Sequence, residues 1–168
     1  MTQYRIREIC EIVNGATPST NITEYWNGEI VWITPKDLAN LNTRLIFKGH
    51  TTITEDGYKS CSTKLVPKGS VLLSSRAPIG YLAIAGIDLC TNQGFKSIIC
   101  NKQIVNNFYL YYWLSTKTDY LVSISSGSTF KELSREAISD VKINLPDIET
   151  QQHIVDNIPT LFHFVISS

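Results

Sequence analysis

The amino-acid sequence predicts an α+β fold, a mixed sheet of many short strands and loops with one long packed helix and a short C-terminal helix. Three observations carry this. Apolar runs of strand length recur, as in Ile30–Ile33, Val71–Ser75 and Phe95–Cys100, bounded by turn-forming residues. One stretch, Val105–Leu121, places Val105, Phe108, Tyr109, Tyr112, Trp113 and Tyr120 on one helical face. The chain has 168 residues, 43% of them hydrophobic and 18% charged, enough for one domain with its own core.

Taken in order, Ile9–Val13 reads as a short extended or helical piece ending at Asn14-Gly15. Thr17–Asn21 is a loop, because a residue before proline avoids helix. Thr23–Trp26 forms one helical turn, halted by Asn27-Gly28, and Ile30–Ile33 is a strand. Thr34 then caps a helix whose first position is Pro35. Thr54-Glu55-Asp56 opens another, through Cys61. Val71–Ser75 and Tyr81–Ala85 are strands around the Pro78-Ile79-Gly80 corner, and Phe95–Cys100 is a third. The aromatic face of Val105–Leu121 is read as core, not as a base-stacking platform, and so are Trp26 and Trp32. Ser123–Ser128 is a loop, Ser134–Ser139 a short helix and Val141–Leu145 an alternating strand. Pro146 then turns the chain, Asp147 caps a helix, and Glu149 sits where the helix dipole favours negative charge. Pro159 is predicted to stop this helix, leaving Leu161–Ile166 as an apolar tail. From Ile148 to Ile158 it would span roughly 16 Å at ~1.5 Å per residue.

Composition narrows the chemistry. No apolar run is long enough to cross a membrane, and the first residues lack the apolar centre of a signal peptide. Cysteines 10, 61, 90 and 100 form no C-x-x-C pair, and the histidines do not cluster with them. The expectation is no metal site, and buried reduced thiols in a cytoplasmic protein. The chain has no Gly-rich phosphate loop, no Gly-x-Ser-x-Gly elbow and no glycine-rich strand-loop for S-adenosylmethionine. Pro146-Asp147 is not followed by Asp/Glu-x-Lys, and no motif supports His50 with Cys61. These absences favour a binder over a catalyst. Formal net charge is zero, but residues 1–35 carry −2, residues 36–131 carry +6 and residues 132–168 carry −4. A basic middle between acidic ends suits either a local anion-binding face or an evenly solvated surface.

Several segments, in order, resemble the target-recognition domain of type I restriction-modification specificity subunits. They are Gly15-Ala16-Thr17-Pro18, Glu24-Tyr25-Trp26-Asn27-Gly28, Ile30–Leu38, Thr52–Gly57, Leu65–Gly80, Thr91–Lys96, Gly127-Ser128-Thr129, and Leu145-Pro146 with Gln151-Gln152-x-Ile154. The resemblance implies a non-catalytic DNA reader that recognises half of a bipartite double-stranded site. It implies methyltransferase subunits and, through them, restriction subunits as partners. S-adenosylmethionine, ATP and Mg would then belong to those subunits, with no cofactor in this chain. It further implies a recognition domain over 1–146 and, over 147–168, the start of a spacer helix that pairs with another and docks the methyltransferase. Such subunits usually hold two recognition domains, whereas this chain has one, so a second domain or a homodimer would complete the site. The short helix admits a natural half-subunit that pairs by another surface, or a truncated product. The alternative function is an assembly-incompetent remnant or protein-interaction module.

The candidate DNA contacts lie in loops of the matched segments. Lys36, Lys59 and Lys64 suit phosphates, and Arg76 suits a phosphate or a guanine edge. Arg76 is equally suited to pairing with a carboxylate. Asn92 and Gln93 suit adenine, or the capping of their own turn, with Lys96 beside them. Ser128, Thr129 and Lys131 occupy a glycine loop suited to phosphate. Gln151, Gln152 and Val155 are the expected partner-docking residues. Gly15, Gly80 and Gly94 are expected to serve the backbone. Alanine at Lys36, Lys59, Lys64 and Lys131 is expected to weaken binding to every DNA sequence. The slope of log affinity against log salt should become shallower by about 0.9 for each lysine that no longer neutralises a phosphate. Affinity measured from low to moderate salt checks this, and an unchanged slope in the fourfold variant would contradict it.

Overall fold

The computed structural model describes the backbone of residues 1–165 and the side chains of residues 1–158. In chain order the elements are β1 Thr2–Arg5, α1 Ile6–Ile9, β2 Cys10–Asn14, a 3-10 turn Thr23–Tyr25, β3 Trp26–Ile33, α2 Pro35–Leu38, β4 Leu45–Ile46, β5 Thr51–Ile53 and α3 Glu55–Lys59. There follow β6 Val71–Ser75, β7 Ile79–Ala85, β8 Cys90–Thr91, β9 Phe95–Cys100, α4 Asn107–Ser115, α5 Thr118–Ser123, α6 Arg135–Asp140, β10 Lys142–Leu145 and α7 Ile148–Val165.

The central five-stranded sheet has the order β2-β9-β6-β7-β4. Alternate residues of a strand point to opposite faces, and here both faces are covered. Val71, Leu73, Ile84 and Ile98 pack with Leu110, Leu114, Leu121 and Ile138. Leu72, Ala83, Ala85 and Phe95 pack with Ile33, Leu38 and Ile46 on the other side. Double burial explains why Val71-Leu72-Leu73 runs apolar without alternation. Each fully buried leucine or isoleucine here contributes about 1.5–3 kcal/mol. A three-stranded sheet, β5-β3-β8, lies beside it, and β1 pairs with β10 alone.

The predicted helix over Val105–Leu121 is two helices. At Thr116 both the backbone N–H and the hydroxyl donate to the Trp113 carbonyl, at 3.2 and 2.8 Å. That tightened turn ends α4 before α5 begins. The buried face is aliphatic, with Leu110, Leu114 and Leu121 fully covered. The aromatics expected in the core are half-buried around it, and Tyr120 is exposed. Phe108 and Tyr112 are instead stacked by the Arg44 guanidinium, 5.2 and 5.8 Å from their ring centres. Trp32 is buried and Trp26 half-buried, edge-to-face at 5.2 Å. Their indole N–H groups donate to the carbonyls of Ala16 and Ser19, at 3.0 and 3.1 Å. The pair therefore packs a small core and holds the Ala16–Ser19 loop in place.

The C-terminal joint differs most from expectation. The α7 backbone runs Ile148–Val165, through Pro159, for about 27 Å. Proline withdraws one donor, the bond to the Val155 carbonyl. In sequence, Val155, Ile158, Phe162 and Val165 keep helical spacing across it. The expected stop at Pro159 is thus corrected, while side chains of the expected tail Leu161–Ile166 lie outside the described residues. Gln151, expected to dock a partner, is fully buried in its own domain. Its amide donates to the carbonyls of Ile104 and Pro146, both at 2.9 Å, and its Oε1 accepts from the Asn106 N–H at 2.9 Å. Gln152 is exposed and its Oε1 accepts from the Asn106 amide at 2.7 Å. Asn106 in turn caps α4 through Phe108 and Tyr109. Val155 is buried as well. Gln151 and Val155 are thus engaged within the domain, while Gln152, which also helps hold α7, stays exposed. Gln151→Leu leaves one donor and two carbonyls without their partners. It is expected to lower unfolding free energy by about 2–4 kcal/mol in urea titration, and a loss below about 1 kcal/mol would contradict the anchoring role.

Candidate nucleic-acid interface

Segments far apart in sequence meet at one rim. Gly15 lies against the carbonyls of Thr91 and Asn92 too closely for any side chain. Ala16 N–H donates to Thr91 O at 3.0 Å, and the Thr17 hydroxyl donates to Gln93 Oε1. Asn92 N–H donates to Ile33 O at 2.9 Å, which fastens the turn to β3. The Asn92 side chain caps its own turn, accepting from Gly94 N–H at 2.9 Å. Gly94 also faces Pro35 closely, a Cβ there falling 3.1 Å from Pro35 Cγ. At the start of α2, Asp37 accepts from Thr34 N–H at 2.7 Å and from His50 N–H at 2.8 Å. That carboxylate is occupied with backbone, and Lys36 beside it is exposed.

A second group adjoins the first through backbone. Ser75 N–H donates to Gly94 O at 2.7 Å, and Leu133 N–H donates to Ser75 O at 2.9 Å. Arg76, Glu132 and Lys96 therefore stand together. Arg76 Nη1 is 3.8 Å and Lys96 Nζ is 4.0 Å from the Glu132 carboxylate. Lys96 also donates to Ser75 Oγ at 3.3 Å. Its side chain is only 7% exposed, so this candidate from the Asn-Gln-Gly turn lies buried behind the rim. Burial pulls its pKa below the ordinary lysine value, with Glu132 pushing it back up and Arg76 pushing it down. Arg76 keeps substantial exposure, at 42%, so the carboxylate holds it without covering it.

Arg76 begins a sharp corner in which Ala77 adopts φ 53°, a left-handed backbone that costs about 1–2 kcal/mol outside glycine. Facing the corner is a loop closed by Ser126 and Glu132, which exchange N–H···O bonds of 3.0 and 2.8 Å. Within it Gly127 has φ 110°, and Ser128, Thr129, Phe130 and Lys131 are all exposed. Corner and loop enclose an open cleft of about 660 Å³. Of the sequence-predicted residues, Lys36, Arg76, Asn92, Gln93, Ser128, Thr129 and Lys131 share this rim. Lys59 lies on α3, and Lys64 lines a second cleft beside Glu11 and Asn14, its neighbour Thr63 donating to the Thr91 carbonyl of the rim at 3.1 Å. Sequence reasoning missed Glu132, which has no motif, and Phe130, whose signal was an aromatic inside a small polar loop.

The four cysteines are free; Cys90 is buried, and burial pushes its thiol up to about 11, while Cys10, Cys61 and Cys100 are half-buried. Among the described residues no group of His, Cys, Asp or Glu is arranged to hold a metal, and no helix is long and apolar enough to cross a membrane.

The depressed Lys96 value has a measurable sign. Between the folded pKa and the ordinary value of 10.5, the unfolded chain holds the proton that the folded protein has released. Stability therefore rises with pH in that window. Lys96→Met is expected to flatten this rise in urea midpoints measured from neutral to alkaline pH, and an unchanged slope would assign it to another group.

The chain was compared with known proteins and structures. It is 52% identical over 152 residues to the type I restriction enzyme MjaIX specificity subunit of Methanocaldococcus jannaschii, covering 89% of this chain and 35% of that protein. It is 30% identical over 156 residues to the EcoR124I/EcoR124II specificity subunit of Escherichia coli, covering 89% of this chain and 38% of that protein. The chain thus spans about a third of the length of these curated relatives. Its fold matches the crystal structure of the HsdS subunit from Thermoanaerobacter tengcongensis with a TM-score of 0.76 at 22% identity, over 99% of this chain and 38% of that one. A chain from a structure describing complex assembly and conformational transition of the type I R-M system matches with a TM-score of 0.79 at 24% identity, over 99% and 39%. The model of the type I restriction modification DNA specificity domain covers residues 1–166, and with the identity to these subunits it makes this chain a member of that family.

Proposed function

We propose that this chain reads one half of a bipartite DNA site as the specificity component of a type I restriction-modification complex. It works in the cytoplasm and does no chemistry itself. Methyltransferase subunits, and restriction subunits through them, act where it places them and bring S-adenosylmethionine, ATP and Mg. One observation carries the reading. Residues 15–17, 34–37, 75–77, 91–96 and 127–133 are separate in sequence, yet backbone bonds and close glycine contacts join them into one rim. Such a support holds exposed cations and amides on rigid elements, as sequence readout requires.

On this reading Lys36 and Lys131 hold phosphates. Arg76 leaves Glu132 for a phosphate or the O6/N7 edge of guanine, and Gln93 offers its amide to adenine. Ser128 and Thr129 supply donors from the loop. Asn92 shapes the turn that presents Gln93. Residues 1–146 are the reader and α7 begins the spacer toward a second recognition domain, from another copy or another chain. The outward face of α7 beyond Gln152 is where a partner docks, since Gln151 and Val155 are already engaged.

Co-expression with a type I methyltransferase subunit tests the proposal. Co-purification and new DNA methylation at one defined bipartite motif are expected. A free chain with no new methylation would overturn it. Gln93→Ala is expected to change the bases tolerated within the methylated motif, whereas Lys36→Ala lowers methylation on all sequences alike.

A further inference from the structure

Phe130 has 88% of its surface in water, far above Phe47 at 55%, the next most exposed phenylalanine among the described residues. Single exposed apolar residues are common, but this ring is held out by structure. The Ser126–Glu132 pair closes its loop from both ends. Gly127, in the left-handed region at φ 110°, lies directly against the Phe130 carbonyl. Leu133 is then pinned to Ser75 and buried. The loop thus presents the ring on the wall of the cleft that Arg76 and Lys131 also line.

We propose that Phe130 is an aromatic wedge that enters a base step of the bound duplex. This rests on the DNA-reading function above and names a contact within it. A phenyl ring makes no hydrogen bond to phosphate, and of the apolar surfaces on DNA (thymine methyls, sugar carbons and base faces) an opened base step gives it the largest contact. Apolar side chains inserted at a base step unstack it from the minor groove, and base–aromatic contact tolerates any sequence. The flanking cations suit the phosphates on either side of the opened step. A protein partner fits less well, because interface cores are contiguous apolar patches depleted of charge. Here the ring shares its cleft with Ala77, Pro78, Ile79 and Val122, yet the charged Arg76, Lys131 and Glu132 line it too.

The test uses this chain in complex with its methyltransferase. The probe is the duplex that the wild-type complex selects from a library with a randomised window, remade with 2-aminopurine at successive positions. Wild type is expected to raise 2-aminopurine emission at one step, and Phe130→Ala to abolish that rise. Affinity should fall roughly tenfold with an unchanged salt slope, because phosphate contacts persist. Phe130→Trp should restore both. An exposed position predicts no change in melting temperature for either variant. Equal affinity and equal emission in Phe130→Ala would overturn the wedge alone. Dissociation of the methyltransferase from the Phe130→Ala complex would overturn it in favour of a protein contact. Failure of the wild-type complex to select any sequence would overturn the DNA reading, and the wedge with it.

Discussion

The buried amide of Gln151 is the interaction on which the arrangement of the whole domain depends. A side-chain amide cut off from water must satisfy both its ends or carry a cost. Gln151 does so by joining three backbone groups from two places, the approach to α4 and the corner at Pro146. Because Asn106 also caps α4, the start of one helix and the first turn of another share a single hydrogen-bonded node. The β1–β10 pair, which ends at Leu145, brings the two ends of the domain to the same point. The direction in which α7 leaves is thereby set by the core. On the proposed function, a departure angle fixed in this way would let α7 hold a distance between two readers.

The rim uses its polar groups in a similar way. Asp37 and the Asn92 side chain are engaged with backbone N–H groups, which stiffens their turns. Glu132 lies between a buried lysine and an exposed arginine. Lys96 needs that carboxylate, since an uncompensated buried charge is unfavourable. Arg76, still open to water, gives up little by exchanging it for a phosphate, because exposed ion pairs contribute only ~0–1 kcal/mol. One anion thus supports the fold and holds an exposed cation that, on the proposed function, would meet DNA.

Much of the local structure was legible from short patterns. Thr34 with Pro35 and Asp37, Thr54 before α3, and Ser134 before α6 all cap as their residue types demand. Strands β6, β7 and β9 followed from apolar runs between turn residues. The shortest strands, β4 and β8, carry too few residues for any period to register, and β1 reads as an ordinary polar segment until β10 pairs with it. The Val105–Leu121 stretch misled because aromatic residues dominate its pattern. The face that packs is the aliphatic one, and a turn at Thr116 splits the helix.

By itself the sequence determined the α+β class, the caps and the order of family motifs. Capping and turn chemistry act over three or four residues, so they can be read along the chain. Only the tertiary structure decided which candidates face outward. It buried Lys96 and Gln151 and left Phe130 exposed on the wall of a cleft. Burial depends on what distant segments bring to the same place, and a linear pattern carries no record of that. The last helix shows both sides: Pro159 names the weak point of α7, but the described backbone continues past it to Val165.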